Sequence, residues 1–219
     1  MSMLLALDTS TRHCSVALWR DGDCFMHEAD TPQSHARSIL PMVQAVLAEA
    51  QVSPGQLDAL AFAHGPGAFT GLRIAAATAQ GLALGWNRPV IAVSTLEVLA
   101  RQAVDMGEKG PFMAVLDARM GELYAAVFCE PAKMGEAPSL ITQERVLEWV
   151  SGHGVQTVVG QPGEHAGLFE ACRLVEVPPR ADALAALASE RLNEARRMTD
   201  VVPVPLYLRD KVADKPAGR

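Results

Sequence analysis

The densest run of chemically suggestive residues is His64-Gly65-Pro66-Gly67-Ala68-Phe69-Thr70-Gly71-Leu72-Arg73-Ile74. A short apolar run, Leu57 to Ala63, leads in and an Ala-rich run, Ala75 to Leu84, leads out, which predicts strand, tight loop and helix. Gly65 and Gly67 permit positive φ or a close backbone approach, and Pro66 stiffens the turn. Thr70 is the expected N-cap, so free amides and the positive end of the helix dipole face the loop. Such an end can hold an anion. The familiar phosphate motifs are absent: no G-x-x-x-x-G-K-[ST] occurs, and the glycines follow G-x-G-x-x-x-G, one residue longer than the dinucleotide fingerprint. A tight structural turn and an anion or partner site both remain open.

Other chemistry finds less support. Metal ligation needs convergent donors, commonly two His at i and i+4 on a helix. His35 starts the first predicted helix, but position 39 is Ile39, and His13, His27, His64, His153 and His165 are scattered. No metal site is expected. A G-x-S-x-G elbow is missing, and Cys14, Cys24, Cys129 and Cys172 form no C-x-x-C and have no evident His partner. They read as buried thiols of a reducing cytosol. Asp8-Thr9-Ser10-Thr11 closes the first strand, where the Asp either faces a ligand or caps the turn. Arg119, Glu122 and Tyr124 follow a second Asp-ended strand and line either a cleft or a surface hairpin.

The elements that must position these residues are legible in outline. Strands are expected at Met3–Leu7, Cys14–Trp19 and Cys24–Glu28, then a helix over Ser34–Ala50 that Pro41 kinks unless it restarts near Ser38. Leu57–Ala63 and Val90–Val93 are further strands, and Ser94 or Thr95 caps a helix reaching about Met106, with Glu97 in its first turn. Asp105 to Pro111 is a boundary, after which the pattern restarts: Phe112–Leu116 ending at Asp117, Leu123–Cys129, a helix at Gln143–Val150, Val155–Val159, and a Pro-Gly turn at Gly160–Gly163 opening a helix. A structural duplication explains this matched layout, with an N-terminal unit 1–105, a second unit 106–181, and a C-terminal segment 182–219 returning to the first. Arg173–Val177 is a strand, Asp182–Arg197 a helix, Val201–Arg209 an extended tail, and the residues from Asp210 frayed.

From Ile74 to Trp86 only Thr78 and Gln80 are polar, so the helix must be covered nearly all round, by the chain's own second layer or by a partner. Gly81 and Gly85 each cost a helix about 1 kcal/mol relative to Ala, which close helix packing would explain. At 219 residues with 49% apolar and 20% charged content, the chain can bury a sizeable core. A net charge of −6 argues against a broadly basic nucleic-acid surface. No apolar stretch suits a membrane span and no secretory signal is visible, so a soluble cytoplasmic protein is expected.

The duplicated layout resembles the superfamily of actin, hexokinase and the heat-shock chaperone ATPases. That predicts an α/β fold of duplicated actin-like (ribonuclease H-like) units, with mixed sheets flanked by helices. Leu5-Ala6-Leu7-Asp8-Thr9-Ser10, His35 with Ile39-Leu40-Pro41, Gly65 to Arg73, Asp117 to Tyr124 and Tyr207-Leu208-Arg209 go further. Together they resemble the TsaB, or YeaZ, family of bacterial tRNA threonylcarbamoyladenosine biosynthesis. The family is similar to the transferase TsaD, which binds metal through an H-x-x-x-H pair that His35 and Ile39 break here. The resemblance implies a non-catalytic scaffold or activator that pairs with TsaD, is joined by the ATPase TsaE, meets tRNA through the complex and also forms homodimers. It has no cofactor of its own; ATP or ADP with magnesium is expected at the complex interface. The expected partner face comprises His35, Leu40, Val43, Gly71, Arg73, Ile74, Ala75, Thr78, Ala79 and Leu82. Asp8, Thr9, Gly65, Gly67 and Thr70 are the candidate nucleotide or anion contacts, and they motivate the rival reading, an ATP-dependent small-molecule kinase. A metallopeptidase ranks third.

Overall fold

The computed structural model describes residues 2–30, 34–130, 133–200 and 202–209. Its first sheet contains β1 (Met3–Asp8), β2 (His13–Arg20), β3 (Asp23–Asp30), β4 (Ala59–Gly65) and β5 (Val90–Ser94), in the order β3-β2-β1-β4-β5. The first three strands pair antiparallel, and β1, β4 and β5 run parallel. Parallel neighbours need crossover helices, and α1 (His35–Glu49), α2 (Phe69–Trp86) and α3 (Thr95–Asp105) follow β3, β4 and β5. A second sheet repeats the scheme with β6 (Phe112–Arg119), β7 (Glu122–Glu130), β8 (Lys133–Thr142), β9 (Thr157–Gln161) and β10 (Arg173–Glu176), followed by α5 (Ala181–Glu190). Its order, β8-β7-β6-β9-β10 with the same senses of pairing, reproduces the first strand for strand. The helix α4 (Gln143–His153) takes the place of α1.

Alternation along the strands assigns the layers. Leu5, Leu7, Val16, Leu18, Leu60 and Phe62 face one side of the first sheet, where α1 and α2 cover them. Leu4, Ala6, Ala17, Ala59, Ala61 and Ala63 face the other, and their small side chains admit the Ala-rich α5. Helix α3 lies between the sheets, because Val98 packs with α5 while Leu96, Leu99, Ala100 and Ala103 pack on Phe112, Ala114, Leu116 and Phe128 of the second sheet. Helix α4 and Phe169 close the far side of that sheet.

Several local expectations are corrected. Helix α1 runs unbroken from His35 to Glu49 with Pro41 inside it. Pro41 lies on the exposed side, where water can bond the Arg37 carbonyl that the missing N–H leaves free. As expected, Ser94 is the N-cap of α3 with Glu97 in its first turn, the Ser94 N–H donating to Glu97 Oε2 at 3.3 Å. The long C-terminal helix stops at Glu190, and residues 192–194 form a 3₁₀ turn. The turn at Gly160–Gly163 opens a 3₁₀ segment, Gly163–Phe169, in place of an α-helix. Strand β8 had no expected counterpart. The tail from Asp210, read as frayed, lies outside the described residues. Among the described residues no helix is long and apolar enough to cross a membrane.

Candidate functional site

The duplicated strands β1 and β6 each carry an Asp at or near their end, Asp8 and Asp117, whose carboxylate closes its own turn. Asp8 Oδ1 accepts from the N–H and the Oγ of Ser10, at 2.7 and 2.6 Å, and Asp117 Oδ1 accepts from the Arg119 N–H at 2.7 Å. Between these turns opens a cleft of about 580 Å³. One wall is Ser10-Thr11-Arg12 with Gly67, Phe69 and Leu72; the other is Asp117 to Met120 with Tyr124, Gln161 and Gly163. Glycine is required where the first wall is tightest. A Cβ on Gly67 would strike the Ser10 carbonyl, and one on Gly71 the Thr9 carbonyl, so turn and helix meet backbone to backbone.

The C-terminal segment 202–209 supplies the third wall. It crosses from α2 to the β6–β7 hairpin: Gln80 Nε2 donates to the Pro203 carbonyl at 2.6 Å, and the Leu206 N–H donates to the His64 carbonyl at 2.7 Å. Tyr207 packs against Phe69, with ring centroids 5.5 Å apart, and its hydroxyl accepts from Arg73 Nε at 3.0 Å. The Arg73 guanidinium also covers the Phe69 ring at 3.9 Å. Arg209 then reaches the second half, bonding Glu122 at 2.7 Å and the carbonyls of Ala118 and Arg119 at 3.2 and 3.3 Å.

A smaller cavity, about 330 Å³, adjoins the first at Thr11, Arg12 and Ala68. It brings together His35, Thr70, Gly71 and Ile74 of the expected site, between the starts of α1 and α2. His35 is spent there on structure, its Nε2 donating to the Thr11 carbonyl at 2.9 Å, while Ile39 is buried one turn on. Other expected contacts are corrected by burial. Asp8, Thr9 and Gly65 have no surface in either cavity; Thr9 Oγ1 donates to the Gly71 carbonyl, and Gly65 lies under the Leu206 carbonyl. Thr70 is not the cap of α2, which begins at Phe69 behind Ala68 without a side-chain cap. Val43, Gly71, Ala75 and Ala79 are buried in the chain's own core, because these are the positions of α1 and α2 that face the first sheet. The outward side of α2 carries Thr70, Arg73, Ala77, Gly81, Leu84 and Gly85, with Ile74, Thr78 and Leu82 half-buried beside them. Leu84 is 73% and Leu40 of α1 47% exposed, and a Cβ on Gly81 or Gly85 would meet nothing within 4 Å.

Burial pushes the Cys14 thiol up to about 11, the reverse of an activated thiolate, whereas Cys24, expected to be buried, is exposed. Burial raises Asp8 from 3.8 to about 7 against the two Ser10 bonds, and its Oδ2 has no partner. His64, lowered by burial, lines neither cavity. No group of three or more His, Cys, Asp or Glu side chains that could hold a metal ion is found among the described residues. The signal that sequence reading missed is Arg209 with Glu122: both lie in stretches singled out above, and only the fold joins them.

Comparison with known proteins fits this geometry. The family described as TsaD, tRNA N6-adenosine threonylcarbamoyltransferase, matches residues 29–157. The Escherichia coli tRNA threonylcarbamoyladenosine biosynthesis protein TsaB is 36% identical over 224 residues, covering 97% of this chain and 96% of that one. The chain belongs to the TsaB family. The TsaB of Haemophilus influenzae is 46% identical over 121 residues, which cover 55% of this chain and 51% of its own. The crystal structure of YeaZ from Pseudomonas aeruginosa matches with a TM-score of 0.83 at 35% identity, over 95% of this chain and all of that one. The duplicated five-stranded mixed sheets flanked by helices are thus those of an actin-like ATPase fold, as the sequence layout predicts.

Proposed function

We propose that this TsaB-family chain serves tRNA threonylcarbamoyladenosine biosynthesis as a non-catalytic subunit that pairs with TsaD through the outer face of α1 and α2. The observation that carries the reading is the exposed side of α2. Gly81 and Gly85 weaken the helix, yet none of the described residues would come within 4 Å of a Cβ at either position. Leu84 and, on α1, Leu40 leave large apolar side chains in water beside that trough. A helix of a second protein can approach there to backbone distance. ATP or ADP with magnesium, TsaE and tRNA then belong to the assembled complex, and homodimers use the same face.

Gly81→Arg tests it. Replacing an exposed helical glycine stabilises the helix by up to about 1 kcal/mol, so the fold survives while the trough is filled. The variant is expected to lose co-purification with TsaD and support of tRNA modification in a reconstituted reaction. Undiminished pairing and modification would sink the reading. ATP turnover by the purified chain alone would favour the kinase instead.

A further inference from the structure

Three stretches far apart in the sequence meet at the mouth of the interlobe cleft: Phe69 to Arg73 at the start of α2, Arg119 to Glu122 at the β6–β7 hairpin, and Tyr207 to Arg209. The two lobes are otherwise joined by α3, packed between the sheets, and at the chain crossings, one of which Gln102 clamps by donating to the Pro178 carbonyl at 2.9 Å and accepting the Arg180 N–H at 3.0 Å. The tail adds a tie of a different kind, because each end grips a different lobe. Towards α2 its grip is an aromatic pair with Phe69, the Arg73 guanidinium 5.9 Å from the Tyr207 ring centroid, and a backbone bond to His64. Towards the second lobe it is one guanidinium shared by a carboxylate and two carbonyls, with Arg209 and Glu122 side chains 17% and 29% exposed. Partial burial and a charge-assisted hydrogen bond make this stronger than an ordinary surface ion pair.

The hairpin that Arg209 grips is itself held in a costly shape. Arg119 and Met120 both have positive φ, +65° and +57°, at positions where Asn or Gly is usual. Asp117 bonds the Arg119 amide, and the Arg209 guanidinium takes the carbonyls on the turn's first side. The tail thereby overdetermines a conformation that the local sequence does not favour.

We propose that residues 203–209 form a clasp that fixes the angle between the lobes and couples the β6–β7 hairpin to the first turns of α2. Because those turns carry Thr70, Arg73 and Ile74, the clasp also sets how the outer face of α2 is presented; this second part rests on the pairing with TsaD. Coupling of this kind is reciprocal, so loosening either end loosens the other.

Hydrogen exchange on the intact chain tests the clasp without any partner. Glu122→Gln, in the second lobe, is expected to speed exchange of the 68–76 amides in the first lobe by about five-fold, the ratio that loss of one partly buried ion pair allows. Tyr207→Phe, which removes only the hydroxyl that Arg73 bonds, is expected to speed exchange at 118–124. Combining Glu122→Gln with Arg209→Met should add little beyond Arg209→Met alone, since both act on one contact. Faster exchange confined to the lobe that carries the substitution overturns the clasp, whatever TsaD does. If exchange spreads across lobes and Gly81→Arg blocks TsaD, affinity for TsaD should fall about five-fold in Glu122→Gln; unchanged affinity then overturns the link to α2 presentation.

Discussion

Asp8 carries a neutral acid inside the first lobe because burial penalises its anion more than the two Ser10 bonds favour it. With its carboxyl raised from 3.8 to about 7, the folded chain binds a proton that the unfolded chain releases from about pH 4 upward. The stability owed to the neutral form is therefore full below about pH 4 and drains until about pH 7. Asp8→Asn keeps an acceptor for Ser10 and cannot ionise. Measured by urea denaturation, the stability of the variant relative to the parent should rise with pH across that window, by at most about 1.4 kcal/mol per unit, and level off above it. A difference that is flat in pH would show that Asp8 is ionised when folded. The same residue shows the limit of reading types in sequence. An Asp closing a first strand fits a ligand site and a capped turn equally, and only the burial of its surroundings decides between them.

At the scale of the element, α2 holds two opposite predictions two residues apart. Ala79 is fully buried against the first sheet, so Ala79→Arg places an unpaired charge in the core and should leave the chain unfolded or insoluble, whereas Gly81→Arg should not. Circular dichroism and solubility of the two variants would check this; a folded Ala79→Arg protein would contradict the packing. The apolar run from Ile74 to Trp86 makes the helix legible, but the nearly all-round cover it suggests is not supplied by the described residues, which bury one side of α2 and leave the other exposed. Which small residues face inward is not legible, because Ala75, Ala77, Ala79 and Gly81 are interchangeable by composition and only the sheet distinguishes them. The strands with clean apolar runs, β1, β4, β6 and β9, are legible for the same reason that β8 is not: Lys133–Thr142 contains Gly135 and Pro138 and buries no continuous face. The tail is legible as extended from Pro203 and Pro205. Its docking is invisible, since the bonds from Arg209 to the hairpin and from Tyr207 to Arg73 join residues 91 and 134 positions apart in sequence.

For the molecule as a whole, α3 and α5 make the two lobes one cooperative unit. Val98 and the Leu99 side chain point into different sheets from neighbouring positions of one helix, so neither lobe can lose its core alone. Calorimetry should show a single transition, and Leu99→Ala, at a cost of about 2–5 kcal/mol, should lower it without splitting it. Two resolved transitions would mean that the lobes melt independently. The duplication is faithful in the strands and broken in one helix: where the first half has the eighteen residues of α2, the second has a seven-residue 3₁₀ segment. Only one half therefore carries the flank proposed above for pairing. A subunit that pairs through a single such flank is monovalent: joined back to back with a copy, or with a relative, it has nothing left there to offer a third. Pairing through α2, as proposed, would stop at two and would not grow into a filament.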